Sequence, residues 1–168
     1  RPPRSTPLYS SAASDVYKRQ ISVGKNKNKN IEGIIAEFAK RIQWKISFHT
    51  VQSFNKLPLN IAKEKESKKL LQACPKNTFR IATDITGESF SSDKLAKKFT
   101  FLQESARVDI VFFIGGFSGL SKSLIQEADL VLSFGKMTWP HELAKLMLLE
   151  QIYRSQCILF NHPYHRLA

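Results

Sequence analysis

Hydrophobic and polar positions along the chain predict strands that alternate with helices. Apolar residues recur at helical spacing over residues 31–42, with charged residues between them, a pattern typical of a helix with one buried face. Residues 44–51 instead alternate in polarity, as in a half-buried strand. The remaining predictions are strands at residues 21–23, 78–85, 108–114 and 130–134, and helices at residues 59–73, 93–104, 120–128 and 140–155.

The run at residues 108–114 is β-prone throughout except for Asp109. A run that is apolar on both faces is what a central parallel strand needs, because helices cover both faces of such a sheet. Strands that alternate with helices of this length predict a three-layer α/β fold with a mostly parallel sheet. With no internal repeat, residues 21–168 are expected to form a single domain.

The predicted helix at residues 140–155 is apolar on every face. Residues 146–149 read Leu-Met-Leu-Leu, and four consecutive residues go right round one helical turn. Such a helix must be covered from more than one side. It is therefore either the core of its own domain or also part of a subunit interface, and the pattern favours a homodimer.

Residues 1–20 differ from the rest because they are rich in Pro and Ser and lack periodicity. Such a stretch is typical of a disordered tail. It also resembles the translated sequencing-adapter remnants found at the ends of fragmentary reading frames. We therefore expect residues 1–20 to be a disordered or foreign tail that replaces the first residues of the first strand.

Charge narrows the range of partners. Lys and Arg number 26 against 14 Asp and Glu, for a net charge of +12, which favours a polyanion or, less often, an anionic membrane surface. No apolar run reaches membrane-spanning length, so a membrane is the less favoured partner. Cys74 and Cys157 lie far apart and no signal segment is visible, which suits reduced thiols in the cytoplasm.

Surface lysines are often no more than solvated, but few acids balance them in this chain. We therefore expect them to contact a nucleic-acid phosphate backbone, although no sequence-specific RNA-binding motif accompanies them. The lysines concerned are Lys25, Lys27, Lys29, Lys63, Lys65, Lys68, Lys69, Lys94, Lys97 and Lys98.

Two loops after predicted strands are candidates for ligand binding. Gly115 and Gly116 open the first, a GGxxG pattern before a helix, where glycines let the backbone approach a ligand. The pattern is not the GxGxxG dinucleotide fingerprint, and a tight turn explains it equally well. The second loop, residues 135–140, also follows a strand, where open α/β sheets bind ligands. Pro140 is equally consistent with an ordinary helix start.

Three histidines, His141, His162 and His165, raise the question of a metal site. Pro163 between the last two, and the lack of a nearby Cys or carboxylate cluster, argue against one, so we expect no metal. Residues 161–166 instead bring imidazole, phenol and guanidinium groups together near the end of the chain. They are consistent with a terminal strand or with a polar segment that closes over a pocket.

Four sequence blocks carry a resemblance to a known family. In order and spacing they resemble the RlmH family, knotted methyltransferases of the SPOUT superfamily. The resemblance runs from residue 21 to residue 166, and the last block is highly specific. The blocks are IGGFSGLS at residues 114–121, MTWPHE at 137–142, EQIYR at 150–154 and NHPYHR at 161–166.

The resemblance implies an S-adenosylmethionine-dependent enzyme that methylates N3 of a pseudouridine in large-subunit (23S) ribosomal RNA on the assembled ribosome. It also implies a cytoplasmic homodimer that needs no metal. The implied fold is of the SPOUT type, with a deep trefoil knot at the C-terminal end.

Carried over by position, the resemblance gives the blocks separate roles. Tyr164, His165 and Arg166 would line the reaction site formed with the partner subunit, with His165 as a candidate base. Arg154 would help to hold the RNA. The methyl donor would be held by Thr83, Gly115, Gly116, Gly135, Lys136, Met137, Thr138, Trp139 and Pro140.

Two other functions compete with this one. A basic RNA-binding or ribosome-assembly module without catalysis would need the glycine loops only as turns. A nucleotide-binding oxidoreductase is disfavoured by the missing fingerprint. Binding of S-adenosylmethionine separates the enzyme from the module.

Overall fold

The computed structural model describes residues 16–106 and 108–166, and its strands form one parallel sheet. The strands are β1 (Lys18–Val23), β2 (Ile46–Val51), β3 (Thr78–Ser89), β4 (Asp109–Ile114) and β5 (Leu130–Ser133). Their order in the sheet is β2-β1-β4-β3-β5. The helices are α1 (Lys29–Arg41), α2 (Leu59–Ala73), α3 (Ser92–Phe101), α4 (Lys122–Glu127) and α5 (His141–Leu159), with a π-helical segment, Leu102–Ala106, directly after α3.

The central strand β4 is covered on both faces. Ile110, Phe112 and Ile114 face a core that includes residues of α1, α3 and α5. Val111 and Phe113 face a second core that includes residues of α2 and α4. The sheet is thus the middle of three layers, which confirms the predicted α/β architecture and explains why every inward position of β4 is apolar.

The first strand begins before the predicted end of the tail. Lys18 pairs with Ile46 of β2 on one side and with Ile110 of β4 on the other, and Val16 is already buried. The prediction of a tail is therefore wrong for residues 16–20, because strand pairing uses the backbone and accepts polar side chains. Residues 1–15 of the predicted tail lie outside the described residues, and the foreign origin stays a prediction.

β3 is longer than predicted because its pairing with β5 resumes after an irregularity. Its pairing with β5 shifts register between Thr83 and Glu88, after which the strand continues to Ser89. A Cβ on Gly87 would lie 2.5 Å from the carbonyl oxygen of Val131. Only glycine therefore allows the two backbones to come this close and the pairing to resume.

α5 also continues beyond its predicted end at residue 155. Gln156 and Cys157 are buried, and the Gln156 side chain accepts a hydrogen bond from the Gln43 backbone N–H (2.7 Å). By contrast, Leu143, Leu146 and Met147 of the same helix stay only half-buried. The chain itself thus covers α5 from one side. No helix within the described part of the chain is long and apolar enough to cross a membrane.

Candidate active site

The carboxyl ends of β4 and β5 meet residues 83–85, at the irregularity of β3, around a pocket of about 570 Å³. This volume lies in the range of roughly 300–1,000 Å³ that is usual for small-molecule sites, and the location is the one expected in an open parallel sheet. Lys136 does not line the pocket. The other predicted cofactor-binding residues all line it: Thr83, Gly115, Gly116, Gly135, Met137, Thr138, Trp139 and Pro140.

The glycine loop after β4 is a tight turn that also forms a wall of the pocket. A Cβ on Gly115 would lie 2.8 Å from the backbone of Gly119, and one on Gly116 would lie 2.9 Å from Cγ1 of Val23. The Gly119 N–H donates to the Gly116 carbonyl (3.1 Å), and Gly119 has a φ of +78°. The turn and the ligand-facing wall are therefore one structure, and the two alternatives from the sequence do not exclude each other.

The loop after β5 is shaped by Gly135, which has a φ of +100° that other residues rarely adopt. Its N–H donates to the Ser133 hydroxyl oxygen (3.1 Å), and that hydroxyl donates to the Gly135 carbonyl (3.0 Å). On the opposite wall the Thr83 hydroxyl donates to the Phe113 carbonyl (3.0 Å). Both walls are thus fixed by hydrogen bonds within the chain.

Large apolar side chains surround the pocket and remain exposed. Phe117 is 87% exposed, Met137 71%, Ile85 59% and Trp139 40%. Clusters of exposed apolar side chains mark surfaces that bind a ligand or another protein. The rim of the pocket is therefore a contact surface that the described residues of one chain leave open.

A buried carboxylate on α2 holds the glycine turn in place. Glu66 accepts hydrogen bonds from the Ser118 hydroxyl (2.7 Å) and from the Phe54 N–H (2.8 Å). Its role escapes prediction because α2 is rich in lysine and resembles a solvated helix. The available signal is the four-residue spacing of Ala62, Glu66 and Leu70, which puts all three on the buried face of the helix.

The tail residues form a separate cluster against α5. Glu150 accepts hydrogen bonds from Arg154 Nη2 (2.6 Å) and Nε (3.0 Å) and from the Tyr164 hydroxyl (2.9 Å). The Tyr164 ring packs on Tyr153, with ring centres 4.8 Å apart. Burial, together with the Glu150 charge and hydrogen bond, raises the pKa of Tyr164 to about 12. The phenol is therefore protonated at neutral pH.

His165 is held between two charged side chains. Its Nδ1 lies 3.3 Å from Arg154 Nη1, and its Nε2 lies 3.7 Å from Asp93 Oδ1. A guanidinium can only donate, so Nδ1 accepts and the proton of the neutral ring is on Nε2. In this arrangement neither nitrogen is free to take a proton from a substrate. Arg166 follows His165 and is exposed.

The predicted catalytic residues and the predicted cofactor residues do not meet within one chain. Arg154, Tyr164, His165 and Arg166 are absent from the lining of the pocket at the carboxyl edge. His141, at the start of α5, does line it, and burial and the Lys145 charge lower its pKa. The described residues hold no group of His, Cys, Asp and Glu side chains that could bind a metal ion.

Comparison with known proteins places this geometry among methyltransferases. Residues 18–165 match the family model described as "Predicted SPOUT methyltransferase". A "Putative ribosomal RNA large subunit methyltransferase H" from Methanococcus maripaludis is 40% identical over 154 residues, covering 87% of this chain and 97% of that protein. A "Ribosomal RNA large subunit methyltransferase H" from Finegoldia magna is 39% identical over the same shares of each chain.

The fold is also shared with a solved structure. A probable methyltransferase from Bordetella pertussis superposes with a TM-score of 0.54 at 11% sequence identity, covering 83% of this chain and 96% of that one. At this identity the likeness concerns the fold alone.

Proposed function

Because the chain belongs to the SPOUT methyltransferase family, we propose that it transfers a methyl group from S-adenosylmethionine to N3 of a pseudouridine in large-subunit ribosomal RNA. The proposed substrate is the assembled ribosome, which puts the site of action in the cytoplasm. The observation that carries the proposal is the pocket at the carboxyl edge, because eight residues predicted to hold the methyl donor line it together.

The residues present suit S-adenosylmethionine. Apolar side chains such as Leu120 and Trp139 line the pocket and can pack on an adenine ring, while the glycine turn brings backbone groups close to the ligand. When bound, S-adenosylmethionine supplies an electrophilic methyl group on a sulfonium sulfur. The chain would supply position and orientation, which are large contributions to such a transfer.

The active enzyme would be a homodimer in which each pocket is completed by the tail of the partner subunit. Two observations support this arrangement. The tail cluster around Glu150 contributes no residue to the lining of the pocket of its own chain, and the apolar rim that includes Phe117 and Met137 is exposed. A second copy would cover the rim and bring Arg154 and Arg166 towards the methyl donor.

The tail would favour the reactive, deprotonated form of the target nucleobase. The N3–H of a uracil ring is weakly acidic, and the anion left when its proton passes to solvent water is the nucleophile. Arg166 is permanently positive and would stabilise that anion, and Arg154 would do so once its guanidinium turns from Glu150 to the substrate. His165 would act as the base only after it separates from Arg154, because the guanidinium occupies its Nδ1 in the described arrangement. The cationic environment is therefore the primary contribution of the tail.

A mixed dimer tests the composite site. One chain would carry Trp139→Ala in the pocket, and the other would carry Arg154→Ala and Arg166→Ala in the tail. The two chains would carry different affinity tags, so that the mixed dimer can be purified. Each homodimer should methylate unmodified ribosomes poorly. The purified mixed dimer should recover activity, because one of its two sites then combines an intact pocket with an intact tail.

A mixed dimer as inactive as both parents would contradict the composite site. A wild-type protein that binds S-adenosylmethionine but methylates no ribosome lacking the modification would contradict the proposed substrate. The alternative function, a non-catalytic RNA-binding module, would be favoured only if S-adenosylmethionine also failed to bind.

A further inference from the structure

The loops after β1 and β2 lie beside the pocket, at the same carboxyl edge of the sheet. The position that a Cβ of Gly116 would take is 2.9 Å from Cγ1 of Val23, the last residue of β1. The corresponding position at Gly24 is 3.7 Å from Cβ of Ser53, which follows β2. The glycine turn of the pocket therefore packs against the end of β1, and the loop after β1 packs against the loop after β2.

These loops carry a high density of positive charge. Together with the first residues of the helices that follow them, α1 and α2, they make up segments 24–30 and 52–65, which contain six lysines and one acid, Glu64. The charge reaches the pocket, because Lys27 is among the groups that lower the pKa of His141, after burial and Lys145. Four exposed lysines of these segments define what we call the β1–β2 basic surface: Lys25, Lys27, Lys56 and Lys65.

Each loop is held in place by a buried ionisable side chain, Lys145 for one and Glu66 for the other. Lys145 on α5 donates from Nζ to the Gly24 carbonyl (2.8 Å) and to the Asn26 side chain (3.2 Å). Glu66 on α2 fixes the other loop by accepting from the Phe54 N–H (2.8 Å). The backbone beneath the lysines is thus fixed before any partner arrives, which reduces the conformational entropy lost on binding.

We propose that the β1–β2 basic surface binds the phosphates of the RNA strand next to the target nucleotide. The inference rests on the proposed function and deepens it by naming where the RNA docks. Lysine side chains act as point charges towards phosphate and read no sequence, which agrees with a chain that has no base-reading motif. The target base would approach the methyl donor bound in the pocket, while the β1–β2 basic surface positions the RNA backbone.

The test compares two triple variants of the full chain. The surface variant carries Lys25→Ala, Lys56→Ala and Lys65→Ala. With ribosomes that lack the modification, its KM should rise roughly tenfold or more at moderate salt, because each of the three lost phosphate contacts weakens binding by about two- to threefold. Its KM should also depend less steeply on salt, while kcat and the affinity for S-adenosylmethionine stay at wild-type values.

The matched control removes the same charge elsewhere. It carries Lys40→Ala, Lys45→Ala and Lys76→Ala, three exposed lysines that lie outside the two loops. Its KM for ribosomes should stay within about twofold of wild type, the change expected from net charge alone. Equal KM values for the two triple variants would overturn the proposal, and so would a surface variant that no longer forms the wild-type oligomer in light scattering.

A direct binding measurement separates this proposal from the proposed function. Fluorescence anisotropy with a labelled large-subunit RNA fragment needs no catalysis. If the wild type binds the fragment, the surface variant binds it weakly and neither methylates ribosomes, the docking surface stands and the proposed reaction fails. If the wild type methylates ribosomes and the surface variant binds RNA normally, the docking surface alone fails.

Discussion

Two buried lysines, Lys145 and Lys18, differ in what surrounds them. Lys145 fixes a loop beside the pocket, whereas Lys18 lowers the stability of the fold. Lys145 is 5% exposed and donates to two oxygens of the loop after β1. Lys18 is fully buried in β1, and its Nζ has no hydrogen-bond partner among the described residues. Burial lowers the pKa of both, that of Lys18 to about 7.

The comparison shows what a buried charge can do in this fold. Where it is satisfied by hydrogen bonds, it fixes a loop at the carboxyl edge, next to the pocket. Where it is not, as at Lys18, Nζ lies 3.9 Å from the centre of the Trp44 ring, the Asp109 charge offsets only part of the effect of burial, and the burial destabilises the fold. Lys18 therefore marks a position where the side chain opposes the structure that the backbone adopts.

The largest expected effect is at Glu66, a buried carboxylate that, like Lys145, is satisfied by hydrogen bonds. Glu66→Leu should lower the free energy of unfolding by roughly 4 kcal/mol, because the Ser118, Ser53 and Phe54 donors would lose a buried acceptor. Chemical denaturation measures this loss. Glu66→Gln keeps one acceptor oxygen and should lose only about 1 kcal/mol; a Leu variant as stable as the Gln variant would contradict the role of Glu66.

Lys18→Met should act in the opposite direction. It should raise the free energy of unfolding at pH 7 by about 3 kcal/mol, because it replaces an unsatisfied buried amine by an apolar group of similar length. The control Lys76→Met changes an exposed lysine and should change stability by less than about 0.5 kcal/mol.

Lys18 also predicts how stability depends on pH. Its folded pKa of about 7 lies below the ordinary value of 10.5, so the unfolded chain binds more protons between these two values. Wild-type stability should therefore rise as pH increases from 7 towards 10.5. Thermal melts over this range should show a smaller rise for Lys18→Met, and equal slopes for both proteins would refute the assignment.

Lys145→Met should destabilise the protein by about 2 kcal/mol, since the Gly24 carbonyl and the Asn26 side chain would lose their donor. Hydrogen exchange should accelerate in the loop after β1 and leave β4 unchanged. A variant as stable as the wild type would remove the distinction between Lys145 and Lys18.

The smallest effect is expected in the tail cluster. Glu150→Gln should lower the pKa of Tyr164 from about 12 towards 10, because the Glu150 charge and hydrogen bond contribute to the raised value. Ultraviolet titration of the tyrosines would follow the shift, with Tyr17 as a tyrosine outside the cluster. An unchanged titration would show that burial alone sets the pKa.

The sequence predicts much of this fold because most of it follows from periodicity. The apolar run of β4 and the helical spacing of α1 identify central and surface elements directly. The convergence of the two glycine-bearing loops also follows, since parallel strands put their carboxyl ends at one edge.

The remaining features depend on tertiary contacts that no local pattern carries. The extension of β3 past Gly87 depends on its approach to Val131, and the entry of Lys18 into β1 depends on backbone pairing with two neighbours. Glu66 looks like an ordinary charge on a lysine-rich helix until its partners are known. The trefoil knot stays a prediction from the family resemblance.

Calorimetric titration with S-adenosylmethionine tests the proposed site most directly. Wild-type protein should bind it saturably and should not bind NADH. Trp139→Ala, which removes a pocket wall, should bind at least about tenfold more weakly, and Lys136→Ala, from the same loop but outside the lining, should bind like the wild type. Absence of binding to folded wild-type protein, or a greater loss for Lys136→Ala than for Trp139→Ala, would contradict the pocket as the methyl-donor site.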